Sequence, residues 1–143
     1  MLIPRENRIR RPRGGGSVME MMLLLPILFM LSFGLVDYGY YFYLKTTFQA
    51  AAAAGVRASA PATATNSTVT GVISTMLTGA GLPVGNYTVT LSPSDISTAT
   101  SGSTVTVTVS ASWATVGTHA LGTAFGGISN SKTVSSAAAI VKE

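Results

Sequence analysis

The 143 residues leave room for one modest domain and a segment outside it. With 10% charged residues and a mean hydropathy of +0.44 the chain is too apolar for an ordinary soluble domain, and the absence of cysteine excludes disulfides and thiolate metal sites. The net charge of +4 is carried entirely by Arg5, Arg8, Arg10, Arg11 and Arg13 against Glu6; no basic or aromatic face supports a nucleic-acid groove elsewhere, so the run reads as a topology signal and no nucleic-acid partner is expected.

Residues 1–13 contain Pro4 and Pro12 and show no apolar periodicity, so they read as a basic leader without fixed structure. Placed directly before a hydrophobic segment, this run is what the positive-inside rule expects of a cytoplasmic flank. Gly14, Gly15 and Gly16 follow, expected to be an extended, protease-accessible backbone with no side chain to obstruct a cleft. A helix should then begin at Ser17, whose spacing to Glu20 is that of a capping box.

From Met21 to Val36 no residue is charged. Val18 to Leu44 would be about 40 Å long as a helix, enough to cross the hydrocarbon core with some overhang. Tyr38, Tyr40, Tyr41, Phe42 and Tyr43 suit the far interface. Bulky aromatics here, rather than small residues, argue against a conventional cleaved secretory signal. Pro26 lacks a backbone donor and should kink or loosen the helix. Gly34 and Gly39 permit close approach of another helix. Beyond Leu44, Phe48, Ala51, Ala52, Gly55 and Val56 form one stripe at helical spacing, and the helix should end before Pro61.

Asn66 or Ser67 is the expected cap of a second helix, with Val69, Val72, Ile73, Met76, Leu77 and Ala80 on its apolar face and a stop at Gly79, Gly81 and Pro83. Two strands follow. Tyr87, Val89 and Leu91 alternate with threonines, and Val105, Val107, Val109, Ala111 and Trp113 alternate with Thr and Ser, the pattern of an antiparallel sheet with one wet face. The link from Ser92 to Ser103 is expected to lie exposed, and Ala114 to Ser131 is ambiguous. Thr133 to Val141 reads as a third strand. The fold class is therefore α+β: a long N-terminal transmembrane and stem helix, then a small domain with one short helix and an antiparallel sheet of about three strands. The divisions are a leader at 1–15, the helix at 16–60 and an extracytoplasmic domain at 61–143.

Catalytic chemistry finds little support. His119 is the only histidine and has no acid near it in sequence; in a glycine-rich loop it reads as exposed or capping. The acids after the leader are not paired at a spacing suited to acid–base work or metal ligation. No serine sits in a Gly-x-Ser-x-Gly elbow, and Thr78-Gly79-Ala80-Gly81 lacks the ending of a phosphate loop. Asn66 and Asn86 match the glycosylation acceptor pattern, which threonine-rich sequence produces by chance. No catalytic, metal or cofactor residue is assigned, and the chain reads as not an enzyme.

The N-terminal order of basic run, glycine, four residues, glutamate and an apolar helix with a proline resembles the class III signal of type IV pilin-like proteins. More narrowly, Ser17 to Pro26, Gly34 to Gly39 and Phe48 to Arg57 resemble successive blocks of TadE-like proteins, pilin-like minor components of tight-adherence pilus systems. Asp37 stands where that family more often has Glu, and Met21 where Phe is commoner. The resemblance implies cleavage by a prepilin peptidase between Gly15 and Gly16, which makes Glu20 the fifth residue of the mature chain. It implies that Glu20 neutralises a neighbour's N-terminal amine and so sets register, with Pro26 as the adaptable kink. The implied partners are the inner membrane, the peptidase, other pilin subunits and the pilus assembly platform. The implied location is the bacterial inner membrane, spanned once with the N-terminus cytoplasmic, or a pilus outside the cell. The competing reading is a permanently anchored inner-membrane protein whose outer domain binds a partner without processing or polymerisation.

Overall fold

A computed structural model describes residues 15–120 and 126–143. The basic run at Arg5 to Arg13 lies outside them. The first helix, α1, spans Gly15–Ser59 and is followed by α2 at Asn66–Gly79, β1 at Thr88–Ser92, β2 at Thr104–Ser112, a single turn α3 at Trp113–Val116, and β3 at Thr133–Val141. The architecture is α+β, with a three-stranded antiparallel sheet in the order β1-β2-β3.

The 45 residues of α1 make a rod about 67 Å long. Its second half belongs to the domain. Leu44, Phe48, Ala51, Ala52 and Val56 are buried with Asp37 and Ser59, at offsets that keep one stripe on one face. Gly55 lies on that stripe because nothing larger fits: a Cβ there would stand 2.6 Å from Ile73 Cδ1. From Val18 to Val36 every side chain larger than Gly34 is exposed, all round the helix. These 19 positions span about 28 Å, the thickness of a hydrocarbon core.

α2 covers the stem and the sheet with Val69, Ile73 and Leu77, all fully buried. The apolar face is narrower than its spacing predicts, since Val72 and Met76 are exposed. The N-cap is Thr65, one residue before the expected Asn66 or Ser67; its hydroxyl accepts from Thr68 N–H. The C-terminus closes as expected. Leu82 N–H donates to Leu77 O at 2.9 Å and Gly81 N–H to Thr78 O at 3.0 Å, with Gly81 at φ +84° and Leu77 and Leu82 both buried, the pattern of a Schellman stop.

The sheet turns alternate residues inward. Val105, Val107, Val109 and Ala111 are buried, and the register sets Val107 between Leu91 and Ala138, and Val109 between Val89 and Ser136. Ser136 also faces the stem, donating to Lys45 O at 3.2 Å. The opposite face is Thr88, Thr90, Thr106, Thr108 and Ser110 with Ser135. Trp113 is not a strand residue: it opens α3, where its N–H still pairs with Lys132 O at 2.8 Å, and its ring is fully buried.

The link between β1 and β2 is mostly exposed, as expected, but one of its residues turns inward. Ile96 is fully buried and anchors it. Asn66 clasps it from both ends of its amide, donating from Nδ2 to Ser94 O at 2.8 Å and accepting from Ile96 N–H at 2.9 Å. Lys142, itself buried, donates from Nζ to Ile96 O.

Candidate functional site

The sequence directs attention to the N-terminal part of α1. Here the backbone differs from the expectation of an extended glycine run followed by a cap at Ser17. Gly15 and Gly16 are helical, so Ser17 lies inside the first turn and the capping box does not form. The reason is cooperativity: once a long helix exists, each added residue gains a hydrogen bond, against a glycine penalty of about 1 kcal/mol. Gly14, and with it one side of the glycine run, lies outside the described residues.

Glu20 is exposed on α1 within a belt of Val18, Met19, Met21 and Met22, all exposed. A carboxylate in such surroundings costs about 2.5 to 3.5 kcal/mol at mid-membrane on insertion scales, less near the interface. Pro26 lies inside the helix, which continues through it. Ser32, a polar side chain farther along, is satisfied by its own helix, donating to Leu28 O at 2.8 Å. A Cβ added at Gly16, Gly34 or Gly39 would meet nothing within 4 Å, so close approach by another helix is sterically open there.

Asp37 marks where the helix enters the domain. It is fully buried, and its Oδ1 accepts from the Thr118 hydroxyl and from Ala120 N–H at 3.1 Å. In the sequence Asp37 reads only as a family variant and 114–131 as ambiguous; the partners are more than 80 positions away, and no local pattern announces them. His119, between the two donors, is exposed at φ +50°, with its ring edge-on to Trp113 at 6.4 Å. The aromatic cluster divides. Tyr38, Phe42 and Tyr43 are exposed, whereas Tyr40 and Tyr41 tilt against Trp113 at 6.2 and 5.7 Å and join the core.

Among the described residues no group of three or more His, Asp or Glu could hold a metal ion. At Asp95, hydrogen bonds from the Ser97 hydroxyl at 2.7 Å and the Ser97 N–H at 3.0 Å lower the pKa, with a smaller contribution from Lys142. Both belong to the β1–β2 link, far along the chain from Glu20. α1 is, among the described residues, the one helix long and apolar enough to cross a membrane.

Residues 15–57 match the family model described as TadE-like protein. The matched stretch covers nearly all of α1 and stops before α2. No curated protein and no solved structure matches the chain.

Proposed function

We propose that the chain is a non-enzymatic, pilin-like component of a tight-adherence type pilus, processed by a prepilin peptidase between Gly15 and Gly16. It would sit in the bacterial inner membrane with residues 1–15 cytoplasmic and the domain outside, and join other pilin subunits at the assembly platform through α1. The observation that carries this reading is the TadE-like match over residues 15–57. It falls on a helix whose first part is apolar on all sides and carries one acid, Glu20, five residues after Gly15.

The chemistry behind the register role is charge compensation. Cleavage after Gly15 creates an amine at Gly16, and an incoming subunit's Glu20 beside that amine exchanges a costly lone carboxylate for an ion pair in a low-dielectric setting. Pro26, which removes one ladder hydrogen bond, gives the helix freedom to adjust as neighbours close around it. Loss of the arginine leader would also leave the mature chain nearly neutral.

Mass spectrometry of the chain's N-terminus in cells with the peptidase tests the processing step. The expected start is Gly16; an intact Met1, or a start after Ala60, would overturn it. Glu20→Ala should insert in the membrane and be cleaved but fail to enter filaments. Unchanged piliation in that variant would remove the register role and favour a permanently anchored protein.

A further inference from the structure

Where α1 leaves its apolar span, two clefts meet at one side chain. The membrane-side cleft, about 690 Å3, is lined by Ile27, Met30, Leu31, Gly34, Leu35 and Tyr38, with Gly126 across from them. The domain-side cleft, about 400 Å3, is lined by Tyr38, Tyr41, Ile128, Ser129 and Lys132. Tyr38 belongs to both. Apart from the shared Tyr38, one end is thus apolar, and the other offers an ammonium and three hydroxyls.

The main chain that carries the cation is anchored at both of its polar groups. Lys132 N–H donates to Ser129 O at 2.9 Å, closing a turn, and Lys132 O accepts from Trp113 N–H at 2.8 Å. Trp113 in turn packs against Tyr41. The Lys132 side chain is exposed and makes no ion pair with any described residue. A lysine beside tyrosine hydroxyls at the end of a membrane-length apolar segment is complementary to a lipid phosphate, and long basic side chains favour that depth.

We propose that this two-part cleft binds one anionic phospholipid from the leaflet on the domain side. The phosphate would accept hydrogen bonds from Lys132, Tyr38 and Tyr41, and an acyl chain would lie along Ile27, Leu31 and the gap at Gly34. The proposal rests on α1 spanning a membrane and is independent of processing or polymerisation. The bound lipid would set the height of the domain above the bilayer.

Native mass spectrometry of the full chain in micelles, with equimolar phosphatidylglycerol and phosphatidylcholine, tests this. The wild type should retain phosphatidylglycerol preferentially. Lys132→Gln should lower that retention about fivefold, the factor one basic residue contributes near an anionic surface, while Lys45→Gln, which removes an exposed cation elsewhere on α1, should not. Lys132→Arg should restore most of it. Gly34→Leu should weaken retention of either lipid by filling the apolar end. Equal losses in Lys132→Gln and Lys45→Gln, or displacement of the lipid by millimolar inorganic phosphate, would overturn the proposal, as would a crosslinked second copy occupying the cleft. Carbonate-resistant membrane association of each variant separates these outcomes from a failure of the membrane reading.

Discussion

The two parts of α1 are one continuous helix in opposite surroundings, one exposed on all sides and one packed into the domain. Between Val18 and Val36 the side chains are mostly large, apolar and exposed on every face; between Asp37 and Ser59 aromatics give way to small side chains from Ala50 on, and only one stripe is buried. The difference separates two uses of the hydrophobic effect. In the first part bulk matters and phase does not, the pattern suited to a helix with lipid on every side. In the second, phase matters more than bulk: Ala51, Ala52 and Gly55 let α2 and the sheet approach closely. Asp37 lies at the change, where a buried carboxylate ties the helix to the segment after α3.

The strongest way to break this comparison is to damage the domain part alone. Phe48→Ala removes a fully buried ring and should cost the domain about 3 to 5 kcal/mol. Denaturant titration followed by the fluorescence of Trp113, the only tryptophan and fully buried, reads this directly. Membrane insertion should be unchanged; loss of insertion together with folding would show that the two parts are not separable. Asp37→Ala should cost less, about 1 to 2 kcal/mol, because the donors it abandons at Thr118 and Ala120 lie where water can reach them. Its local signature is faster hydrogen exchange at the Ala120 amide, largely recovered in Asp37→Asn.

Periodicity is why much of this is legible in the sequence. The stem stripe at Phe48, Ala51, Ala52, Gly55 and Val56, and the alternation from Val105 to Ala111, each follow from which side chains must leave water. The third strand, the weakest pattern, runs over Thr133–Val141 as expected. What sequence does not disclose depends on contacts distant along the chain: Asn66 clasping the β1–β2 link, Lys142 buried on Ile96 O, and Asp37 meeting Thr118. Such side chains look like ordinary surface polar residues until the chain around them is folded. At the other end, Glu20 and Pro26 are legible as a motif, while the role proposed for them involves neighbours beyond a single chain.

Two glycines sharpen the comparison with smaller effects. At Gly55 an added methyl would stand 2.6 and 2.8 Å from Ile73 Cδ1 and Cγ1. The strain, about 1 to 3 kcal/mol, outweighs a helix-propensity gain of about 1 kcal/mol, so Gly55→Ala should destabilise the domain in the same titration. At Gly34 nothing lies within 4 Å, and Gly34→Ala should leave domain stability unchanged within about 0.5 kcal/mol. If another helix closes on Gly34 in a filament, that variant should lose piliation while folding normally. Equal destabilisation by both substitutions would erase the distinction between the two parts of α1.

The smallest expected effect lies outside α1 and serves as its control. Ser97 holds the Asp95 carboxyl below its ordinary value of 3.8 by two hydrogen bonds, one from the hydroxyl and one from the backbone N–H. A carboxyl whose folded pKa is depressed favours the folded state above its unfolded pKa, and that contribution disappears as pH falls through the folded value. Any stability it supplies is therefore complete at neutral pH and lost only below about pH 4. Ser97→Ala removes the hydroxyl donor and should move the Asp95 titration upward toward 3.8, read by NMR of its carboxyl carbon. Because Asp95 is exposed and the link is also anchored by Ile96, the denaturation midpoint at neutral pH should scarcely move. A large shift there would mean that the hydrogen bonds at Ser97, rather than the buried Ile96, hold the link against the domain.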